Sequence, residues 1–219
     1  MLWSIRRLGS YESELRVLTD CERLGVFGGS FNPPTQAHLM LANHLLGHYV
    51  DRVIFLPVGD AYTKEDLIPA SDRLAMLRLV VRDNPGFILS ELETGLASPS
   101  KTYDSLVHLE EAFPTARLFF IMGSDQLEGL QRWHRIDDLL RKFTLLLLQR
   151  AEDDVEIRFQ QDPWLSQRCS SFILCDNHPR SNLSSTMIRQ RVAAGESIRY
   201  LTDPAIIAYI QGQSLYKSG

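Results

Sequence analysis

Short apolar runs alternate along the chain with segments whose apolar residues recur at every third or fourth position. The runs are typical of buried strands, and the recurring positions are typical of helices with one buried face. The runs predict strands at residues 24–27, 53–57, 87–92, 118–122, 145–148 and 172–174. The spacing predicts helices at residues 39–49, 102–113, 184–194 and 204–211, a helix capped by Ser71, and two short helices within residues 125–140.

This order of elements predicts the fold class. Strands that alternate with helices favour an α/β fold with a doubly wound parallel sheet, in which helices cover both faces. Residues 151–170 are charged and interrupt the alternation, so we expect an exposed loop or a short helix there. Residues 1–20 precede the first predicted strand, and we interpret them as an N-terminal extension to a single domain at residues 21–219. Ligands of such sheets lie beyond the carboxyl ends of the strands.

Composition and charge narrow the class of protein. The chain has 219 residues, of which 44% are hydrophobic and 23% charged, as expected for one globular domain with a sizeable core. The net charge of −4 leaves no basic surplus for holding nucleic acid by its phosphates, so we expect no nucleic-acid partner. A local basic pocket for a small phosphate ligand remains compatible with this charge.

The cysteines and the apolar runs bear on the compartment. The chain has 3 cysteines and no Cys-x-x-Cys pair, which favours a reducing, cytoplasmic location over a disulfide framework or a zinc site. The first residues lack the continuous apolar region of a signal peptide. No apolar run approaches the roughly 18 residues of a membrane span, so we expect no membrane partner.

The segment GGSFNPPTQAH, residues 28–38, combines features of an anion site. Gly28 and Gly29 end the first predicted strand, where glycine lets the backbone approach a phosphate. The Asn-Pro-Pro turn places Thr35 at the start of the next helix and His38 one turn inside it. Free N–H groups at a helix start favour anions. The same residues also fit a tight turn followed by a structural histidine.

The segment LSSTMIR, residues 183–189, repeats this logic near the other end of the chain. Ser184, Ser185 and Thr186 are hydroxyl donors at a helix start, and Arg189 follows Thr186 by three positions. Hydroxyls, free N–H groups and a guanidinium on one helix end can bind an anion. An ordinary N-cap is the alternative interpretation. The presence of both segments in one chain favours phosphate binding.

With these residues in view, the chain resembles the nicotinamide and nicotinate mononucleotide adenylyltransferases over residues 24–216. GGSFNPPTQAH is similar to the (H/T)xGH signature of this nucleotidyltransferase superfamily, and SSTMIR to its SSTxxR partner. Three further segments resemble the family in the same order: PVGDAYTKEDLIPASDR, then KTYDSL with MGSDQLEGLQRWHRIDDLL, then SIRYLTDPAIIAYI. The resemblance implies a Rossmann-like nucleotidyltransferase fold.

The resemblance also implies the roles of individual residues. The catalytic group would hold the ATP phosphates and comprises Thr35, His38, Lys64 from a mobile loop, and Arg189. The remaining ATP-binding residues would line the phosphates, ribose and adenosine: Gly28, Gly29, Ser30, Phe31, Gly123, Asp125, Ser185 and Thr186. The pyridine ring would stack on Trp133, and Thr102 would help to hold that end of the ligand.

Several of these residues also have simpler interpretations. Lys64 fits a solvated loop lysine, Asp125 a helix N-cap and Trp133 a core residue. Two positions depart from the signature. Thr35 replaces its first histidine, as in the eukaryotic-type members, and Ala37 replaces its glycine, which tightens the approach of the backbone to ATP.

The reaction implied by the resemblance joins ATP to nicotinamide or nicotinate mononucleotide and gives NAD or deamido-NAD plus pyrophosphate. Mg²⁺ would be carried mainly by the ATP phosphates, with no protein ligand cage. The residues alone leave two alternatives open: a sibling transferase of the same fold that acts, for example, on phosphopantetheine, and a non-catalytic nucleotide-binding regulator. Arg132 and Arg135 flank Trp133 in sequence, but neighbouring side chains on a helix or turn point away from one another. We therefore expect both mononucleotides to be substrates, with kcat/KM values within about tenfold. The sequence leaves the oligomeric state open, including a homo-oligomer.

Overall fold

The computed structural model describes residues 6–7, 21–63, 66–149 and 154–217. Its strands are β1 (Arg6–Arg7), β2 (Arg23–Gly29), β3 (Arg52–Pro57), β4 (Phe87–Leu89), β5 (Arg117–Gly123), β6 (Thr144–Leu148) and β7 (Phe172–Cys175). Its α-helices are α1 (Gln36–Leu45), α2 (Ala70–Val81), α3 (Thr102–Ala112), α4 (Ile136–Lys142), α5 (Val155–Gln161), α6 (Pro163–Gln167), α7 (Ser185–Ala193) and α8 (Pro204–Gly212). Short 3-10 turns lie at Ser124–Leu127, Leu130–Arg132 and Cys169–Ser171.

The strands form one parallel sheet in the order β1-β7-β6-β5-β2-β3-β4. The chain winds outward from β2 to β3 and β4, and then returns to the other side of β2 as β5, β6 and β7. The strand order therefore reverses between β2 and β5. In open sheets of this kind, the crevice at the carboxyl ends of two such strands receives the ligand. The predicted α/β doubly wound fold is confirmed.

Two hydrophobic cores lie on opposite faces of the sheet because strand side chains alternate between faces. In β2, Leu24 and Val26 belong to one core and Phe27 to the other. The first core is completed by apolar residues of α3, α4, α5 and α6, and the second by those of α1, α2, α7 and α8. Within the described part of the chain, every helix falls short of the length and apolar character needed to cross a membrane.

Two predicted helical segments differ from the structure. The predicted helix at 39–49 is Gln36–Leu45, because the side chain of Thr35 caps it one turn earlier. Ser71 is not a cap, since α2 begins at Ala70 and its N-cap residue is Pro69. The first N–H of α2 instead donates to the Asp60 carboxylate at 2.6 Å, a contact that sequence spacing does not reveal.

Other differences concern short elements. The strand predicted at 87–92 is limited to β4, and the two short helices expected within 125–140 are two 3-10 turns followed by α4. The region 151–170 contains α5 and α6, in agreement with a short helix there. Within residues 1–20, Arg6–Arg7 pairs with β7 as an edge strand. The division at residue 20 stays a prediction, because the rest of that segment lies outside the described residues.

Candidate active site

A cleft of about 320 Å³ opens at the carboxyl ends of β2, β5 and β6. It lies between the first turn of α1 and the first turn of α7, so the starts of both helices face one space. Seven residues predicted from the sequence line it together: Gly28, Gly29, Ser30, His38, Gly123, Ser185 and Thr186. The structure therefore brings the two separate sequence motifs into one site.

The two glycines at the end of β2 lie against aromatic rings. A Cβ on Gly28 would lie 3.4 Å from the Phe120 ring, and one on Gly29 would lie 3.2 Å from the Phe31 ring. The contact at Gly29 is tight, so a side chain there would displace the packed Phe31 ring, whereas the distance at Gly28 is that of an ordinary van der Waals contact. Glycine keeps the strand backbone itself at the surface of the cleft, where a ligand can approach it.

His38 is held in a fixed orientation by a capping box with Thr35. The Thr35 hydroxyl accepts from the His38 backbone N–H at 3.3 Å, and His38 Nδ1 accepts from the Thr35 N–H at 3.0 Å. Since Nδ1 is an acceptor, the neutral imidazole carries its proton on Nε2. The rings of Phe31 and Phe27 flank the imidazole at 5.3 Å and 5.9 Å between centroids. His38 therefore presents a positioned donor at the cleft.

Two of the residues predicted to contact the nucleotide are buried. Thr35 is fully buried and Phe31 is 1% exposed, so neither presents a surface to a ligand. Thr35 uses its hydroxyl in the capping box, and Phe31 packs against Phe27, Phe55 and His38. Phe31 has a positive φ of 44°, which turns the chain between β2 and α1. Both residues support His38, and their contacts with phosphate and ribose stay predictions.

The Asn-Pro-Pro corner ties the start of α7 to the start of α1. The Asn32–Pro33 peptide is cis. The Ser185 hydroxyl donates to the Pro33 carbonyl at 2.7 Å, and Arg189 Nη1 donates to the Asn32 carbonyl at 3.0 Å. Arg189 Nη2 also lies 3.4 Å from the Thr186 hydroxyl. Arg189 lines a second hollow beside the cleft, and Thr186 lines both spaces.

A buried arginine that sequence reasoning missed supports the same corner. Arg73 is fully buried, and its guanidinium donates to the carbonyls of Ser30, Val58 and Ile68 at 3.2, 2.7 and 3.0 Å. Asp60 is its charged partner at 3.3 Å. Burial lowers the pKa of Arg73 from its ordinary value. The signal was present in the PASDR segment, but a charged residue in a helical pattern is ordinarily assigned to the solvated face.

The wall of the cleft beyond β7 was also not predicted. His178, Arg180 and Ser181 line it, and Gln126 joins them from the turn after β5. Burial lowers the pKa of His178, and the nearby His44 and Arg180 lower it further, while the Pro179 carbonyl and Asp176 oppose the shift. His178 is therefore neutral at neutral pH. The sheet topology could have indicated this wall, because loops that follow parallel strands share one edge.

The residues predicted to contact adenosine and the phosphates have different positions in the structure. Gly123 lines the cleft and is the N-cap residue of the Ser124–Leu127 turn. Asp125 is exposed inside that turn and is not its N-cap. Lys64, predicted to reach the phosphates, lies outside the described residues. Gly123 therefore lies at the cleft, and the ligand-binding roles of Gly123, Asp125 and Lys64 stay predictions.

The two residues predicted to hold the pyridine ring lie toward the other face of the sheet. Trp133 is half-buried and packs against Phe120, with ring centroids 6.0 Å apart. The Phe120 ring also lies beside Gly28, so it separates Trp133 from the end of β2. Thr102 is the first residue of α3. Neither Trp133 nor Thr102 is among the residues that line the cleft.

Comparisons with known proteins agree with this site. Residues 26–191 match the cytidylyltransferase-like family. The nicotinate-nucleotide adenylyltransferase of Bacillus subtilis is 31% identical over 200 residues, which cover 90% of this chain and 100% of that relative. A probable nicotinate-nucleotide adenylyltransferase of Caldicellulosiruptor bescii is 34% identical over 197 residues, covering 89% and 99%. Plasmodium falciparum nicotinic acid mononucleotide adenylyltransferase, solved with NaAD, has the same fold with a TM-score of 0.72, 20% identity and coverage of 89% and 97%.

The paired helix starts at the switch point of a parallel sheet fit a site for nucleotide phosphates. The chain belongs to the cytidylyltransferase-like family and, within it, to the nicotinate-nucleotide adenylyltransferases, which are enzymes. The resemblance inferred from the sequence motifs is thereby confirmed.

Proposed function

We propose that this protein transfers the adenylyl group of ATP to the 5′-phosphate of nicotinate mononucleotide and releases pyrophosphate and deamido-NAD. The observation that carries this proposal is the convergence of the first turns of α1 and α7 on one cleft, with His38 and Thr186 on its surface. Two helix starts that face the same space favour a ligand with several phosphates. The names of the curated relatives support the choice of substrates.

In the proposed reaction, an oxygen of the mononucleotide phosphate forms a bond to the α-phosphorus of ATP. The bond from that phosphorus to the bridging oxygen of pyrophosphate breaks, and pyrophosphate leaves with the electron pair. The attacking phosphate is already an anion near neutral pH, so no protein base is needed. The protein aligns the two nucleotides and stabilises the charge that develops on the leaving phosphates. His38 Nε2–H supplies a positioned donor for that charge.

We propose that Mg²⁺ accompanies ATP rather than occupying a protein cage. No group of three or more His, Cys, Asp or Glu side chains among the described residues could hold a metal ion. The cleft instead offers donors, such as His38 and Thr186, which fit phosphate oxygens. Mg²⁺ keeps much of its water and binds readily to substrate phosphates. Bound in this way, it would neutralise phosphate charge.

The cysteines and the net charge bear on the location of the protein and on its partners. Cys21, Cys169 and Cys175 are free thiols, and the chain carries a net charge of −4. We therefore propose a cytoplasmic enzyme whose partners are its small-molecule substrates, without nucleic-acid or membrane binding.

The preference between the two pyridine nucleotides is the first expected result. The sequence alone predicts that both mononucleotides are used. The names of the curated relatives favour nicotinate mononucleotide, which carries a carboxylate on its ring. We expect kcat/KM to be at least about tenfold higher for nicotinate than for nicotinamide mononucleotide, an energy difference of about 1.4 kcal/mol. A pyrophosphate-release assay at saturating Mg-ATP, with phosphopantetheine as a third acceptor, measures this.

Each outcome of that assay discriminates between functions. Turnover with phosphopantetheine alone would indicate the sibling transferase. Absence of pyrophosphate release with all three acceptors, in a protein that still binds ATP, would indicate a nucleotide-binding regulator. Equal kcat/KM for the two pyridine nucleotides would refute the proposed preference.

The guanidinium of Arg189 gives a second expected result. Its two terminal nitrogens contact the Asn32 carbonyl and the Thr186 hydroxyl, a forked geometry that lysine cannot reproduce. Arg189→Lys is therefore expected to lower kcat/KM for ATP by about tenfold or more, near 1.4 kcal/mol. Arg191→Lys on the same helix is the control, since Arg191 pairs with Glu196. Unchanged ATP kinetics in Arg189→Lys would limit the start of α7 to a structural cap.

A further inference from the structure

The hollow beside the cleft is lined by cations from two distant parts of the chain. It has a volume of about 480 Å³, and its lining includes Arg189 of α7 and Lys217 near the end of the chain. Thr186 lines both this hollow and the cleft, so the two spaces meet at the first turn of α7. A ligand that begins in the cleft and extends past Thr186 enters the hollow.

The segment that carries Lys217 is anchored to the corner of the active site. The Tyr216 hydroxyl donates to Asn32 Oδ1 at 2.8 Å, and Asn32 is 1% exposed. The amide nitrogen of the same Asn32 side chain donates to the Asp66 carbonyl at 2.7 Å. Burial raises the pKa of the Tyr216 phenol, so it stays protonated as a donor. Asn32 therefore links the chain end to the corner between β2 and α1.

The backbone at the chain end has an unusual conformation that these contacts maintain. Ser214 and Tyr216 have positive φ angles of 54° and 62°, which non-glycine residues adopt at an energetic cost. The Leu215 N–H donates to the Ile210 carbonyl of α8 at 3.0 Å. The turn brings Lys217 to the hollow that Arg189 lines, and Lys217 also borders a neighbouring hollow between α7 and α8. Such a turn places the lysine more narrowly than a freely extended chain end would.

The charges around the hollow suit an anion that arrives with the substrate. Arg189 has hydrogen-bond partners in the corner, whereas the exposed ammonium of Lys217 contacts the Ser214 hydroxyl at 3.3 Å and has three donors. Asp66 also lines the hollow and contributes an acidic residue to it. In the proposed reaction the end of the triphosphate carries most of the ligand's negative charge.

We propose that Lys217 is a further phosphate-binding residue, which contacts the β- and γ-phosphates of ATP and the departing pyrophosphate, and that Tyr216 positions it. This inference rests on the proposed function for the identity of the ligand. The cation neutralises charge that increases as pyrophosphate leaves. Because Lys217 is exposed, its contribution is screened by salt and is moderate in size.

Calorimetric binding of inorganic pyrophosphate with Mg²⁺ tests the role of Lys217. Lys217→Met removes the charge and keeps the apolar stem, and is expected to weaken pyrophosphate binding about fivefold at low salt. The difference from the native protein is expected to shrink at high salt. In steady-state assays KM for ATP rises by a similar factor, while KM for the pyridine nucleotide is unchanged. The matched control is Lys142→Met, because Lys142 pairs with Glu110 on the surface.

The binding readout separates this inference from the proposed function. If the native protein and Lys217→Met bind pyrophosphate equally, Lys217 is not a phosphate ligand, whatever the enzyme makes. If the native protein forms no dinucleotide but Lys217→Met still loses pyrophosphate affinity, the proposed reaction is wrong and the phosphate site stands.

The positioning role of Tyr216 is tested by a double-mutant cycle. Tyr216→Phe removes only the hydroxyl that contacts Asn32, and is expected to weaken pyrophosphate binding in the native background. In the Lys217→Met background the same change is expected to have little further effect, because the group it positions is absent. An equal loss in both backgrounds would refute positioning through Lys217. A lower melting temperature with unchanged pyrophosphate binding would indicate a merely structural role of the hydroxyl.

Discussion

Replacement of His38 by alanine is expected to lower kcat by about 10²-fold or more, the scale measured when an enzyme loses one preorganised donor to developing charge. The donor is preorganised because the capping box with Thr35 occupies Nδ1, while the rings of Phe27 and Phe31 flank the imidazole. Steady-state kinetics at saturating concentrations of both substrates measure the change in kcat.

The fold should survive this substitution. The lost capping contact costs about 0.5–2 kcal/mol, so the melting temperature falls by only a few degrees. His48→Ala is the matched control, because His48 is exposed after the end of α1 and does not line the cleft. A His38→Ala variant with near-native kcat would remove His38 from the chemistry and leave it a capping residue.

Replacement of Arg73 by leucine is expected to have the largest effect on stability. The guanidinium serves three backbone carbonyls from a fully buried position, and leucine leaves all three without that donor. Each buried carbonyl left without a donor costs about 1–3 kcal/mol. Part of this cost is offset, because leucine carries no charge that must be desolvated. We therefore expect the free energy of unfolding to fall by about 3 kcal/mol or more. Thermal denaturation should show a decrease in melting temperature of roughly 6–12 °C.

The same helix provides the control for Arg73. Arg78 of α2 pairs with Glu91, but its side chain is 53% exposed, so Arg78→Leu is expected to change the free energy of unfolding by less than about 1 kcal/mol. Arg73 also donates to the Ser30 carbonyl at the rim of the cleft, so Arg73→Leu should raise KM for ATP as well. Similar melting temperatures for the two variants would show that the buried hydrogen bonds contribute little.

The sequence predicts the parts of the site whose signals are local. Ser184 caps α7 and Thr35 caps α1 through bonds to residues three positions away, and such contacts can be inferred from spacing. The strand runs predict the sheet because parallel strands buried on both faces are continuously apolar. The convergence of the two helix starts then follows from topology, since both lie at the carboxyl edge of the sheet.

The parts that the sequence could not predict depend on long-range contacts. Asp60, not Ser71, bonds the first N–H of α2, and Arg73 is buried because carbonyls of distant loops meet its side chain. Tyr216 contacts Asn32 across 184 positions of sequence. The burial of Phe31 and Thr35 has the same origin: their motif indicates phosphate binding, but packing decides which of its residues reach the surface.

The central claim is adenylyl transfer to nicotinate mononucleotide, and identification of the product tests it most directly. The purified protein is incubated with Mg-ATP and nicotinate mononucleotide, and the products are separated and identified by mass spectrometry. The proposed function predicts deamido-NAD and pyrophosphate in equal amounts. Nicotinate mononucleotide recovered unchanged, from a protein that is folded and binds ATP, would contradict it.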